Sequence, residues 1–439
     1  MSTTKFNLHF LIFTLLCVFS KRSYSNNTTI IGGLRLTMIH IDSPNSRMYQ
    51  PELSEVERAN RLIDISNSRI YYLSKKTTNK NMSFDLKPDI SNAPILNKYG
   101  FPYYVEIGIG TFPSEIITNT HAHANYLKFD IKGSSIWTQC KDCQTCFRQR
   151  SPRFQRSKSK TYHLVPCNEC PKCRCEDDIA LMVVSYGGGS LMRGSSDIIT
   201  GSLGMNRSPY SLISQIGHLV KYRFSYCLQD YKNLANSTFL YFGNHIINRP
   251  NMFVTPILKR PNLFNYYVTI NDIGVNGQKL NIPSHLFALK PDNSGGTVLD
   301  SDTAFNFLVP EAFDIVVESI TNYISNNNLF LRERQGRDIN LDACWEPLFK
   351  SPKVNLPTIT YYLDNNAELL IQSTQLFWVY PADGVHEPGL YCLTIRRNEV
   401  HQLLNVLGAS AQINQRLIFD ILKSKLSFIA EDCTVEPLT

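Results

Sequence analysis

The pattern of hydrophobic and polar positions divides the chain into two parts, a mostly polar one and one with many short apolar runs. Residues 26–95 are polar and rich in Asn, Ser and Lys, except for one stretch after Pro51 in which apolar residues recur at near-helical spacing. Those apolar residues are Val56, Ala59, Ile63, Ile70 and Leu73. The spacing predicts one amphipathic helix, which we expect to pack on another part of the protein because it cannot form a core alone. It is either a prosegment that covers a cleft or an ordinary N-terminal extension.

From Tyr103 onward the hydrophobic pattern is typical of a β-rich protein. Short alternating runs such as "YYVEIGIG" and "YYVTINDIGV" are separated by Gly, Pro and Asn. Helical patterns are few and lie at 211–220 and 310–320. A chain of 439 residues with 43% apolar residues can bury a large core, and its length favours two lobes over one.

Two acidic segments within the β-rich part repeat each other. "FDIKGSSIW" (129–137) and "TVLDSDTAF" (297–305) each place an apolar residue directly before an aspartate, Asp130 and Asp300. Each is followed later by a Leu-Gly pair, in "SLG" (202–204) and in "VLG" (406–408). This order predicts two related lobes that each offer one carboxylate to a shared cleft. Two adjacent carboxyl groups share one proton, so one is a base and the other an acid that together activate water against a peptide carbonyl.

The N-terminus has the pattern of a secretory signal over residues 1–25. Lys5 precedes the apolar run at 10–19, which is too short to cross a membrane, and the small residues Ser23 and Ser25 follow as a candidate cleavage site. We therefore expect a secreted or vacuolar protein without a membrane span. The net charge of +7 comes from dispersed basic residues, which argues against nucleic-acid binding. Glycosylation triplets that fit this route begin at Asn26, Asn27, Asn81, Asn206 and Asn236.

Cysteines are concentrated in one short region. Of the twelve, one lies in the signal and seven lie between residues 140 and 175, as "CKDCQTC" and "CNECPKCRC". Such spacing alone is typical of zinc or iron–sulfur sites, but an oxidising compartment favours disulfides. We therefore expect disulfides here and no metal. The eleven remaining cysteines form an odd number, so at least one has no intramolecular partner.

These motifs together resemble those of plant pepsin-like aspartic endopeptidases of the peptidase A1 family, in the atypical nepenthesin-like branch. The resemblance extends over the prosegment, the first mature strand, the cysteine-rich insert, the flap and both lobes. It rests on residues 36–62, 103–115, 134–146, 185–190, 202–217, 224–227, 297–305 and 407–433.

The resemblance implies a fold dominated by β-structure, the bilobal pepsin-like fold with a central cleft. It implies that Asp130 and Asp300 are catalytic and that Tyr186 on the flap binds substrate. The protein would be a secreted zymogen that acts as a monomer on protein or peptide substrates without a cofactor. Its parts would be a signal peptide at 1–25, a propeptide-like segment at 26–97, an N-terminal lobe at 98–250 and a C-terminal lobe at 251–439.

The two aspartate motifs depart from the Asp-Thr/Ser-Gly of this family. Ile131 and Lys132 follow the first aspartate, and Ser301 and Asp302 follow the second, so both glycines and one hydroxyl are replaced. We expect strain of roughly 1–3 kcal/mol per affected residue where a Cβ replaces a glycine needed for close approach. We also expect Lys132 and Asp302 to pair across the cleft and to block the water site.

The resemblance also implies the disulfide pairs. They are Cys140 with Cys143, Cys167 with Cys175, Cys170 with Cys173, Cys227 with Cys433, and Cys344 with Cys392. Compared with the family pattern, the N-terminal lobe lacks about thirty residues after 194–200, a length that corresponds to several strands. The family partner of Cys146 would lie there, so Cys146 is predicted to be unpaired.

Two alternatives to an active endopeptidase remain open from the sequence. The replaced glycines, the lost hydroxyl and the shortened lobe favour an inactive pseudo-protease that acts as a binding or inhibitor protein. A chain that folds poorly would carry the same features.

Overall fold

The computed structural model describes the greater part of the chain. The described residues are 33–78, 102–112, 123–141, 149–164, 174–176, 179–181, 198–234, 238–327, 329–334, 341–348, 354–381, 388–399 and 404–435. Within them, no helix has the length and apolar character needed to span a membrane. The predicted signal, the flap with Tyr186 and the glycosylation triplets other than that of Asn206 lie outside the described residues.

Strands dominate both halves of the chain. The first nine are β1 (Gly33–His40), β2 (Tyr103–Ile109), β3 (His123–Asp130), β4 (Ile136–Thr138), β5 (Arg174–Glu176), β6 (Ile179–Leu181), β7 (Gly201–Gly204), β8 (Arg223–Cys227) and β9 (Thr238–Gly243). The others are β10 (Phe253–Pro256), β11 (Tyr267–Val268), β12 (Ile270–Val275), β13 (Gln278–Lys279), β14 (Thr297–Leu299), β15 (Asn306–Leu308), β16 (Leu331–Glu333), β17 (Cys344–Pro347), β18 (Ile359–Leu363), β19 (Ala367–Ile371), β20 (Phe377–Pro381), β21 (Pro388–Leu393), β22 (Ile395–Arg397), β23 (Asn405–Leu407), β24 (Gln415–Asp420) and β25 (Lys425–Ala430).

Four α-helices are described. They are α1 (Glu55–Thr78), α2 (Leu212–Gln215), α3 (Pro310–Asn326) and α4 (Ser373–Leu376). The predicted helix at 310–320 is confirmed as α3, but the helical pattern at 211–220 yields only the short α2. The chain after α2 instead turns back with positive φ at Lys221 and Tyr222, and Gly217 packs so closely on Tyr222 that it has no room for a Cβ.

A ten-stranded sheet connects the two halves, in the order β10-β25-β24-β8-β9-β1-β2-β3-β7-β4. Strand β1 lies inside this sheet and pairs antiparallel with β9 over residues 33–38 and with β2 over residues 38–40. The part of the chain that resembles a propeptide therefore supplies an internal strand. The C-terminal half adds sheets in the orders β11-β14-β23-β15-β22, β13-β12-β18-β19 and β16-β17-β21-β20.

The predicted internal repeat corresponds to a repeated strand arrangement. In the first half, β3 runs parallel to β7, and Asp130 pairs with Gly204. In the second half, β14 runs parallel to β23, and Leu299 pairs with Leu407. Asp130 ends β3 and Asp300 directly follows β14, so both lie where a strand enters a loop. Since Gly204 lies so close to Ser135 that a Cβ would overlap its backbone, the glycine of the repeat permits the tight loop.

The structure confirms the predicted amphipathic helix. Ser54 and Glu57 form a capping box, in which each side chain binds the backbone N–H of the other residue. The apolar face of α1 packs against residues of the second half, including Phe305. Leu62 and Ile63 on that face are buried. We call residues 33–78, which comprise β1, the following turn and α1, the N-terminal segment.

Candidate active site

The aspartate loops have the same local geometry in both halves. The backbone N–H of Lys132 donates to Oδ1 of Asp130 at 3.0 Å, and that of Asp302 donates to Oδ1 of Asp300 at 3.1 Å. The residues that replace the motif glycines therefore still supply the amide that fixes each carboxylate. Neither Lys132 nor Asp302 has a positive φ, so the expected backbone strain is not found at these positions. Their side chains instead take up space in the site itself.

One cross-lobe hydrogen bond joins the two loops. Ser301 Oγ accepts from the N–H of Ile131 at 3.3 Å. Ile131 has no hydroxyl to return such a bond and is fully buried in the core. Thr303 donates to Oδ2 of Asp300 at 3.0 Å, whereas the corresponding residue after Asp130 is Gly133. The N-terminal loop is therefore the less firmly held of the two.

Asn206 provides a substitute restraint for the N-terminal loop. Its Nδ2 donates to the carbonyl of Lys132 at 3.0 Å, and its Oδ1 accepts from the N–H of Ser208 at 2.8 Å. The side chain is buried and both ends of its amide are hydrogen-bonded inside the protein, so the Asn206 triplet does not present an accessible amide in this fold.

Replacing Asn206 by aspartate is expected to lower the free energy of unfolding by about 1–3 kcal/mol, since the donor to Lys132 is lost in a buried site. Urea unfolding followed by tryptophan fluorescence measures this. Asn248→Asp is the matched control, because exposed Asn248 only accepts, from Arg223, and should change stability by less than about 0.5 kcal/mol. Equal effects of the two variants would contradict the restraint.

Arg69 of α1 lies between the two aspartates. Its Nη2 is 2.9 Å from Oδ1 of Asp130 and 3.4 Å from Oδ1 of Asp300, and its Nε is 3.0 Å from Oδ2 of Asp300. Its Nη1 also lies 3.5 Å from Oδ2 of Asp302. The guanidinium thus occupies the space that two facing carboxyl groups would otherwise share with water.

Two lysines complete the charge balance. Lys128 Nζ contacts Asp302 and lies 3.4 Å from Oδ2 of Asp130. Lys132 Nζ lies 3.8 Å from Oδ2 of Asp300. The expected pair of Lys132 with Asp302 is thus replaced: Lys132 reaches across to the carboxylate of Asp300, while Asp302 ion pairs with Lys128 and Arg69.

The pKa values of the carboxyl groups are driven apart. Burial would raise the pKa of Asp130, but Arg69 and Lys128 outweigh burial and hold it well below its usual range. Burial, reinforced by the charge of Asp130, raises the pKa of Asp302 to about 8. For Arg69, the three carboxylates overcome the effect of burial and raise its pKa well above the usual value. Asp302 is therefore the more readily protonated of these two carboxyl groups.

The same three carboxyl groups, Asp130, Asp300 and Asp302, have oxygens within 4.8 Å of one another. Such a cluster has the right donors for a divalent cation. Here the three side chains are already paired with Arg69 and the two lysines, with which a metal ion would have to compete. This charge arrangement does not fit a metal centre.

A second contact holds α1 on the C-terminal loop. Ser66 Oγ accepts from the N–H groups of Ala304 and Phe305 at 3.0 and 3.3 Å. Ser66 is fully buried, and one turn later along the helix comes Arg69. The helix therefore binds both the carboxylates and the free backbone amides beside them.

Comparisons with known proteins agree with this architecture. The family model described as xylanase inhibitor N-terminal matches residues 103–184, and the model described as xylanase inhibitor C-terminal matches residues 265–430. Together they cover more than half of the chain. Aspartyl protease family protein 2 of Arabidopsis thaliana is 26% identical over 91% of this chain and 85% of its own length. Aspartic proteinase nepenthesin-2 of Nepenthes gracilis is 26% identical over 78% of this chain and 82% of its own length.

The chain belongs to the plant pepsin-like aspartic protease family, in its atypical branch. Among solved structures, that titled edgp superposes with a TM-score of 0.55 at 16% identity, covering 75% of this chain and 91% of the other. Soybean basic 7S globulin gives 0.50 at 16% identity, covering 76% and 94%. At this identity the likeness establishes the fold alone, which is the bilobal, β-dominated fold of pepsin-like proteins.

Two of the disulfides implied by the family are present, Cys227–Cys433 and Cys344–Cys392. For the other three implied pairs, at least one cysteine lies outside the described residues, as does Cys146.

The sequence prediction missed the roles of four site residues, which are Arg69, Lys128, Ser66 and Asn206. Lys128 had a detectable signal: it lies two residues before Asp130 in a strand, so both side chains face the cleft. Arg69 lies seven residues after Leu62 and is thus a charge on the apolar face of α1.

Proposed function

We propose that the chain is an aspartic-type endopeptidase made as a secreted or vacuolar zymogen, and that the N-terminal segment closes its active site. After the segment leaves, Asp130 and Asp300 would hold a water molecule where Arg69 Nη2 now lies. One carboxylate would take a proton from this water while the other carboxyl group gives a proton to the peptide carbonyl. The substrate would be a protein or peptide lying across the cleft, with no cofactor involved.

The observation that carries the proposal is the position of Arg69. A single nitrogen, Nη2, contacts Oδ1 of both Asp130 and Asp300, at 2.9 and 3.4 Å. The two oxygens therefore converge on one point, which is the arrangement that two carboxyl groups need to activate one water molecule. The backbone amides of Lys132 and Asp302 support this convergence despite the altered motif.

Cleavage of acid-denatured haemoglobin by the purified, acid-treated chain across pH 2.5–6 tests the proposal. We expect turnover that pepstatin inhibits and that Asp300→Asn reduces by at least about 100-fold, the contribution of one general acid or base. Asp314→Asn is the matched control, because Asp314 is exposed on α3 and should retain full activity. Absence of turnover from a folded, monodisperse product would overturn the proposal.

The alternative is a catalytically inactive pseudo-protease that acts as a binding or inhibitor protein. It is favoured by the lysines in the site, because Lys132 lies 3.8 Å from Asp300 and Lys128 lies 3.4 Å from Asp130. Both lysines belong to the N-terminal lobe rather than to α1, so they would remain after the segment leaves. In that case the pairing of Asp130 and Asp300 through water would stay disrupted.

A further inference from the structure

We propose that His40 is an acid-sensitive anchor of the N-terminal segment, which loosens the segment when the imidazole gains a proton. The inference rests on the proposed zymogen function and concerns the regulation of the same site. His40 is the last residue of β1, at the point where the segment turns from the sheet toward α1. The ion pairs of Asp130, Asp300 and Asp302 among the described residues are with Arg69, Lys128 and Lys132, not with His40.

The hydrogen bonding around His40 requires a neutral imidazole. Its Nδ1 accepts from the backbone N–H of Asp42 at 3.0 Å, so Nδ1 carries no proton and the ring proton is on Nε2. Nε2 is buried and has no hydrogen-bond partner among the described residues. A second proton would have to enter at Nδ1, where it would point at the Asp42 N–H. Protonation therefore opposes the local fold directly.

The charged groups around His40 do not offset this cost. The carboxylate of Asp42 lies 4.0 Å from Nδ1 and is already shared by two arginines of α1, Arg58 at 2.6 Å and Arg61. A charged His40 would be a third cation beside one carboxylate. On the other sides lie the rings of Tyr103 from β2 and Tyr231, at 4.9 and 5.3 Å between centroids.

Those rings complete an apolar surrounding for the imidazole. His40 is only 3% exposed. The carboxylate of Asp230 helps to raise the pKa of Tyr103 and of Tyr231, but it does not contribute to the change in the pKa of His40. The site thus combines an acceptor role for Nδ1, a crowded carboxylate and two aromatic walls, all of which favour the neutral ring.

The direction of the pH effect follows from this arrangement. Burial lowers the pKa of His40 to about 4; the charge of Asp42 opposes burial, and the charges of Arg61 and Arg58 add to it. In a released segment the pKa returns to about 6.5. The released form thus binds the extra proton between those values, so attachment is strongest above about pH 6.5 and weakens as the pH falls toward 4. The full effect is on the order of 100-fold in the population of released segment.

Hydrogen–deuterium exchange of the full chain from pH 7 to 4 tests the inference. After correction for intrinsic exchange rates, protection of β1 and α1 amides should fall by up to about ten-fold per pH unit below pH 6.5. In His40→Asn the amide oxygen can take the place of Nδ1 as acceptor but does not titrate, so this fall should be lost. His218→Asn, at an exposed histidine, should follow the unchanged chain. Equal pH dependence in His40→Asn and the unchanged chain would overturn the inference.

Two further measurements, an NMR titration of the histidines and the mass of the chain at each pH, complete the test. NMR titration of the chain with ¹³Cε1-labelled histidine needs no variant: one of the ten histidines must stay neutral to well below pH 6, and uniform titration near 6.5 would overturn the inference. The mass of the chain is checked at each pH, so self-cleavage is recorded separately from segment release. An inactive chain that still loses protection on acidification would refute the proposed enzyme but not the His40 anchor.

Discussion

Restoring the family motif by Ile131→Thr, Lys132→Gly and Asp302→Gly together is expected to raise kcat/KM toward acid-denatured haemoglobin by at least about 100-fold. Removing Lys132 frees Asp300 from a cation 3.8 Å away. Removing Asp302 takes away the third carboxyl group of the cluster, so that Asp130 and Asp300 face each other as a pair. A hydroxyl at residue 131 allows a second bond between the loops. Initial rates across pH 2.5–6, with and without pepstatin, measure the gain.

The controls separate a gain in chemistry from a gain in folding. Asp300→Asn in the restored background should abolish the activity, whereas Lys141→Gly, at an exposed lysine beyond the loop, should leave the original activity unchanged. The single change Ile131→Thr should give only a small part of the gain, because both charged side chains remain. A restored variant that folds but does not cleave would contradict the prediction, because the residues at 131, 132 and 302 would then not be what limits activity.

Replacing Arg69 by methionine is expected to lower the free energy of unfolding by about 3–5 kcal/mol at pH 7. The change removes one cation from a buried cluster and leaves Asp130 and Asp300 with fewer counter-charges. Methionine keeps the length of the side chain, so the loss reports charge rather than an empty cavity. Urea unfolding followed by tryptophan fluorescence measures the difference.

Two comparisons make the Arg69 result specific. Arg69→Lys keeps the charge but not the planar group that contacts both aspartates, so its effect should be intermediate. Arg58→Met removes another arginine of α1 that binds a carboxylate, Asp42, but Arg61 also pairs with Asp42 and limits the cost. If Arg58→Met were as destabilising as Arg69→Met, the aspartate cluster would not be the main attachment of the helix.

The pH dependence of the Arg69 contacts has a definite sign. Because Arg69 and Lys128 hold the native pKa of Asp130 below its unfolded value of about 3.9, the stabilisation from ionised Asp130 is fully present above about pH 4. It is lost only as the pH falls through the lowered native pKa. In mildly acidic solution this ion pair therefore persists, while protonation of His40 weakens the attachment of the segment at β1.

Several features were predictable because they depend on local pattern. The two lobes followed from a repeated order, an aspartate after an apolar residue and then a Leu-Gly pair, which the structure shows as β3 beside β7 and β14 beside β23. The helix α1 followed from the near-helical spacing of its apolar residues. In both cases neighbouring residues determine the outcome, so the sequence contains the necessary information.

The partners within the site were not predictable in the same way. The pairing of Lys132 with Asp302 was inferred from two substitutions at matching positions, but a lysine side chain reaches several carboxylates and its partner depends on competing cations. Here Lys128 and Arg69 take Asp302, and Lys132 lies near Asp300. Arg69 lies 231 positions before Asp300 in the chain, and no local sequence pattern specifies a contact between residues so far apart.

The place of β1 inside the ten-stranded sheet has a consequence for processing. Cutting the chain between residues 79 and 97 would separate the N-terminal segment covalently, yet β1 would still be bonded along both edges, to β9 and β2. Such a cut would yield a two-chain protein held together without a covalent link between its parts, not a shortened enzyme and a free peptide. Maturation would then need two separable events, cleavage and strand withdrawal, and the second would leave an open gap in the sheet for another strand to fill.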